Sequence, residues 1–209
     1  MKQYEQKIHS QNGEDGVLSH IFNTIGTTNK VAVEFGVSAG GGGTETNTRY
    51  LSEQGWKLFW FDIEDATNLP QNCRFSKQFL TADNIADVFR QQGIPREFDL
   101  LSIDVDSNDY HLREALAEFN PRVYVIEYNG NYPSHLEYVM PRNDNYVWRL
   151  WETNFGASLK SLTQQGNRLG YDLVYCESRG VNAFFVRRDC NPFPALSAEE
   201  AWVKLWWAR

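Results

Sequence analysis

The chain has 209 residues, 42% hydrophobic and 14% aromatic, the size of one α/β domain with a sizeable core, so a single domain over 1–209 is expected. A formal net charge of -7 and a pI near 5.1 exclude a surface built to neutralise phosphates, and a small polar molecule, not nucleic acid, is the expected partner. Three cysteines without zinc spacing read as reduced thiols, and neither the polar start nor any later apolar run suits a membrane, so a soluble, cytoplasmic protein is expected.

Asn12 and Gly13 give a turn signal, after which Val17, Leu18, Ile21, Phe22 and Ile25 recur at helical spacing until Gly26 supplies a stop. Residues 1–30 therefore read as a helical cap ahead of the sheet. Val31 to Phe35 is a short apolar run ending in a glycine cluster, and Thr44 to Glu53 reads as the first crossover helix. The alternation continues through Lys57 to Asp62, a helix around Asp83 to Gln92, Phe98 to Asp104, a helix from Asp109 to Phe119, and Arg122 to Tyr128. Such a pattern predicts a mostly parallel sheet with helices on both faces.

Residues 129–155 form an excursion rich in turn residues and aromatics, long enough to serve the substrate side of a site. A helix from about Ser158 to Leu169 leads into Tyr171 to Cys176 and Ala183 to Arg187, an antiparallel hairpin closing one sheet edge. The last segment, 195–209, opens with a Ser197/Glu200 capping box and carries Trp202, Val203, Leu205 and Trp206. It predicts a C-terminal helix, docked on its own domain or forming a homo-oligomer interface.

The strongest local signal is the run from Val33 to Gly43, in which Gly36, Ser38, Gly40 and Gly41 follow the first strand and let the backbone approach a ligand. No Gly-Lys-Ser/Thr follows, which removes a P-loop, and the tighter Gly-x-Gly-x-x-Gly of dinucleotide sites is absent as well. Asp62 ends the next strand, where a carboxylate can accept both hydroxyls of a ribose, with Ile63 beside it. Asp83 follows the third strand position, where it can meet an adenine amino group.

Ser10-Gln-Asn-Gly-Glu-Asp15, Glu34-Phe-Gly36, Ile103-Asp-Val-Asp106, Glu127-Tyr-Asn129, Gly170-Tyr-Asp-Leu and Asn182-Ala-Phe-Phe-Val186 together resemble the FkbM-like branch of S-adenosylmethionine-dependent methyltransferases. The resemblance runs from about Ser10 to Asp189. It implies a Rossmann-like class I fold of about seven strands, with S-adenosylmethionine across the carboxyl ends of the first strands and Glu34 keeping the carboxylate of the cofactor motif. The chain departs from the usual family pattern at Glu34-Phe-Gly36, where Asp-x-Gly-Ala-Asn is common. It departs again at Asp106-Ser-Asn-Asp109, in place of an Asp-Val-Glu-Gly-like turn.

Asp104 and Asp106 point to one side if their strand persists, as do Glu127 and Asn129 on the neighbouring strand. Held together, Asp104, Asp106 and Glu127 suit Mg2+ or Mn2+, which would bind a substrate diol and acidify the hydroxyl to be methylated. The alternative is that Asp104 orients cofactor or substrate, Asp106 caps the next helix, and Glu127 and Asn129 bind a polar substrate directly, with Tyr132 shaping the pocket. Asp104 is one catalytic candidate and His135 the other, as a general base unless it is merely solvated. Gln11, Glu14 and Asp15 either cap the first helix or, as the resemblance implies, fold over the substrate site.

The expected activity is O-methylation of a sugar or another small hydroxylated metabolite. Two other readings stay open: a cofactor-binding module without catalysis, and a metal-dependent enzyme using a nucleotide-sugar donor.

Overall fold

The computed structural model describes residues 1–37, 45–149 and 152–206. Within these, β1 (Val31–Phe35), β2 (Lys57–Asp62), β3 (Cys73–Lys77), β4 (Glu97–Ile103), β5 (Asn120–Glu127), β6 (Tyr171–Cys176) and β7 (Asn182–Arg187) form one sheet in the order β3-β2-β1-β4-β5-β7-β6. The first five strands pair in parallel, whereas β7 is antiparallel to both β5 and β6. Around the sheet lie α1 (Glu14–Ile25), α2 (Arg49–Glu53), α3 (Ile85–Gln91), α4 (Asp109–Ala115), α5 (Leu159–Leu169) and α6 (Ala198–Ala201). This is the expected Rossmann-like arrangement, a mostly parallel sheet closed by an antiparallel C-terminal hairpin. No helix among the described residues is long and apolar enough to cross a membrane.

Both faces of the central strands are buried, which is why they read as continuous apolar runs. Val33, Phe35, Phe61, Leu101, Ile103 and Ile126 pack with Phe89 of α3, Leu112 of α4 and Leu162 of α5. Ala32, Leu58, Trp60, Leu100, Val125 and Phe184 pack on the other face with Val17, Leu18 and Ile21 of α1 and Leu51 of α2. The period of two then fixes which later residues share that second face: Glu34, Asp62, Asp104, Glu127 and Asn182.

The polar core of the opposite, amino-terminal end of the sheet is Asp99. It is fully buried, and its carboxylate accepts from the backbone N–H groups of Thr28, Asn29 and Lys30, from Thr28 Oγ1 and from Arg122 Nη1 at 2.8–3.2 Å. Arg122 in turn donates to the carbonyls of Ile25 and Gly26, which close α1. One ion pair thus ties the end of α1, the turn into β1, and strands β4 and β5 together.

Several expected boundaries shift. Strand β3, which hydrophobic patterning does not reveal, is a half-exposed edge strand of sequence Cys-Arg-Phe-Ser-Lys. The first crossover helix is only Arg49–Glu53, α3 starts at Ile85 after Asn84 caps the turn through Thr81 N, and α4 stops at Ala115.

The largest correction is at the C-terminus. The Ser197/Glu200 capping box forms, yet the helix ends after Ala201 and Trp202 turns extended. Tyr128 explains this: its hydroxyl donates to Val203 O and accepts from Val203 N, while Leu205 N donates to Gly130 O, so outside partners take the groups that helix continuation needs.

Candidate active site at the switch point of the sheet

Strand order reverses between β1 and β4, and in open α/β sheets ligands sit outside the carboxyl ends at such a point. Here a cavity of about 700 Å³ opens there, walled by Glu34, Gly36, Asp62, Ile63, Asp104, Asp106, Asn182 and residues of the excursion. Gly36 makes it possible. Its φ of +76° places Asp104 O 1.4 Å from where a Cβ would stand, and Gly36 N donates to Phe61 O as Asp104 N donates to Phe35 O.

Glu34 lies in the wall, but its carboxylate is already engaged. It accepts from Asn47 N at 2.7 Å, Thr48 N at 3.0 Å and Thr48 Oγ1 at 2.5 Å, and Thr48 Oγ1 receives Trp60 Nε1. These bonds draw the chain beyond the glycine loop back onto β1. Burial pushes Glu34 up to about 7 against the pull of its donors. Of the other loop residues expected to hold a cofactor, Ser38, Gly40 and Gly41 lie outside the described residues.

Asp62 ends β2 and Ile63 follows it. Asp62, half-buried, accepts from Glu64 N, and burial raises its pKa. Ile63 is 60% exposed and Phe79, just beyond β3, is 52% exposed, and both line the cavity. A carboxylate that shares a cavity wall with two uncovered apolar side chains offers hydrogen-bond acceptors beside a surface on which a flat group can rest. Asp83 does not join them. It is exposed and holds Arg142 in a two-pronged ion pair at 2.6 and 2.8 Å, which fastens the excursion to the loop before α3.

On the substrate side, carboxylate oxygens of Asp104, Asp109 and Glu127 all lie within 4.8 Å of one another. Burial, and then the charges of neighbouring acids, Asp106 and Asp109 among them, hold Asp104 and Glu127 well above the usual carboxylate range, and burial lifts Asp109 to about 6. Asp109, which opens α4 and accepts from Val105 N and Ser107 N, thus takes the place expected for Asp106. Asp106, on a left-handed turn with φ +61°, is exposed to the cavity rather than part of the close triplet, and its charge still bears on Asp104 and Glu127. The run Asp104-Val-Asp-Ser-Asn-Asp109 carries both acids; only the turn decides which one joins the triplet.

Asn129 is buried away from this cluster, donating to the carbonyls of Thr153 and Phe155 and accepting from Asn131, so it pins the two ends of the excursion together. Tyr132 donates to Asn154 Oδ1, and His135 is exposed; neither belongs to the cavity wall. The excursion contributes Asp144, Tyr146, Val147 and Trp148 instead. Gln11 reaches the cavity from the N-terminal turn. Glu14 and Asp15 are buried supports: Glu14 accepts from Asn12 N, Gly13 N and Asn182 Nδ2, and Asp15 Oδ2 accepts from Ile8, His9 and Ser10 N.

No protein-family model matches the sequence, and no curated protein matches it. Among solved structures, the chain is similar to MycE, a methyltransferase from the mycinamycin biosynthetic pathway in complex with Mg and SAH, at 16% identity and a TM-score of 0.43. The similarity covers 85% of this chain and 51% of that one, so the chain spans about half the length of its structural neighbour.

The buried acids set a pH dependence. Glu34 and Glu177, both buried, have folded-state values of about 7 against an ordinary 4.5, burial being the main cause. The folded state therefore keeps protons that the unfolded chain has released, and stability falls as pH rises through the window from about 4.5 to about 7. A group raised by about two units changes stability by about 3 kcal/mol across its window. The melting temperature is expected to be higher at pH 5 than at pH 8, and Glu34→Gln to flatten the slope; a melting temperature that climbs steadily over this range would contradict the assignment.

Proposed function

We propose that the chain is an S-adenosylmethionine-dependent methyltransferase that methylates a hydroxyl of a small, uncharged polar molecule such as a sugar. The observation that carries this reading is the cavity at the switch point of a Rossmann-like sheet, whose wall holds Asp62 together with the uncovered Ile63 and Phe79. When bound, the cofactor supplies a methyl group already activated by its sulfonium charge, so the protein's share is to align the acceptor oxygen and ease loss of its proton. Asp62 fixes the adenosine end. Tyr146 and Trp148 close the substrate side against water.

Asp104, Asp109 and Glu127 are the residues that would hold Mg2+ or Mn2+ against a substrate diol, because three carboxylates at this spacing offer hard oxygen ligands and gain from a neutralising cation. His135, outside the wall, has no part in the proton transfer. Glu45, Glu64, Asp106 and Asp144 add further acids to the cavity lining, and their field disfavours phosphorylated or carboxylated acceptors.

Calorimetric titration with S-adenosylhomocysteine tests the proposal. Wild type is expected to bind in the micromolar range, and Asp62→Ala to weaken binding at least ~10-fold through loss of a charge-assisted pair of hydrogen bonds. A folded wild type that ignores S-adenosylhomocysteine but binds a nucleotide sugar with Mg2+ would replace methyl transfer by glycosyl transfer.

A further inference from the structure

Asn182 opens β7 and is 1% exposed. It pairs with Glu127 across the antiparallel ladder, and because Ile103 pairs with Ile126, Asp104 stands abreast of Glu127 in turn. Residues abreast in a sheet project to the same face at close range. Asp104, Glu127 and Asn182 therefore form one row across β4, β5 and β7.

The Asn182 amide has a fixed orientation. Its Nδ2 donates to Glu14 Oε1 at 2.8 Å, and Glu14 is itself held by Asn12 N and Gly13 N. A carboxylate can only accept, so the amide oxygen must turn away from Glu14. That oxygen is buried and has no hydrogen-bond partner among the described residues, although Asn182 lines the cavity. A bare buried amide oxygen forfeits the hydrogen bonds water would give it, and native structures rarely accept that without a ligand.

We infer that Asn182 Oδ1 is the neutral fourth oxygen of a divalent-cation site whose carboxylates are Asp104, Asp109 and Glu127, and that Glu14 of the N-terminal turn aims it. Hard divalent cations take amide carbonyl and carboxylate oxygens together. The inference rests on the cation reading of the three carboxylates. It also accounts for the buried Glu14, which positions Asn182 rather than touching substrate.

The test is a Mn2+ titration followed by electron paramagnetic resonance, on wild type, Asn182→Ala and Asn182→Asp, with melting curves with and without Mn2+ and a parallel titration with S-adenosylhomocysteine. Asn182→Ala is expected to bind Mn2+ about 10-fold more weakly or worse. Asn182→Asp restores the oxygen but sets a carboxylate against Glu14, so it should melt lower than wild type without metal and gain more from Mn2+. A cooperatively melting Asn182→Ala that binds Mn2+ like wild type overturns the inference, as does an Asn182→Asp whose melting temperature Mn2+ leaves unchanged. Wild type that binds S-adenosylhomocysteine but not Mn2+ ends the cation site and leaves methyl transfer standing. Wild type that binds Mn2+ but not S-adenosylhomocysteine, with Asn182→Ala weakened, supports the Asn182 site and removes the methyl-transfer reading.

Discussion

Gly36→Ala is expected to lose about 4 kcal/mol or more of stability, together with ligand binding at the cavity. Two penalties combine. An alanine at φ +76° is strained wherever it sits, and this one would also drive its methyl into the carbonyl of Asp104, 1.4 Å away. The obstacle is backbone, so no rotamer relieves it. The carboxyl ends of β1 and β4 would have to separate, breaking the bond from Asp104 N to Phe35 O and displacing Asp104 from Glu127. Urea denaturation with S-adenosylhomocysteine titration of any folded fraction checks both effects. A variant as stable as wild type would mean that the two strands approach less closely than described.

The second large effect is at the far end of the sheet. Asp99→Ala is expected to cost about 3–5 kcal/mol, because it leaves Arg122 as an unpaired charge in the core and strips three backbone N–H groups of their acceptor. Ligand affinity should survive in the folded fraction, since Asp99 lies at the opposite end from the cavity. A double-mutant cycle with Arg122→Met separates the terms. If the cost comes mainly from the stranded guanidinium, the double variant should lose much less than the sum of the single ones. Strict additivity would argue that the turn at Thr28 to Lys30, not the ion pair, sets the cost.

The contrast between these two sites shows what patterning conveys. Strands β1, β2, β4, β5 and β7 are legible because both faces are covered and each reads as an apolar run, and β6, though at an edge, keeps enough buried residues to read the same way. The half-exposed edge strand β3 carries no such mark, and Cys73-Arg-Phe-Ser-Lys77 passes for a loop. The C-terminal segment misleads for the opposite reason: Trp202, Leu205 and Trp206 have helical spacing, but a distant tyrosine hydroxyl binds both polar groups of Val203.

At the site, residues tied to strand ends could be placed from sequence. Asp62, Asp104 and Glu127 follow directly from where their strands stop. Asp109, Asn129 and Asn182 depend on a left-handed turn at Asp106, on the return path of the excursion and on the pairing of β7 with β5. None of these is a local property of the chain, so the asparagine expected near Glu127 was Asn129 and the one found there is Asn182.

The position of β7 also sets an order of assembly. It is the last strand in the sequence, yet it occupies an interior place between β5 and β6. A nascent chain can therefore lay down β1 to β5, with Asp62 in place, while one sheet edge stays unpaired and the Asp104–Glu127 row lacks its third member. Closing that row requires a contact across more than fifty residues of chain, the kind of long-range pairing that slows folding. The Asp104–Glu127–Asn182 row is thus complete only once β7 has been made, and a chain interrupted before residue 182 would lack its third member.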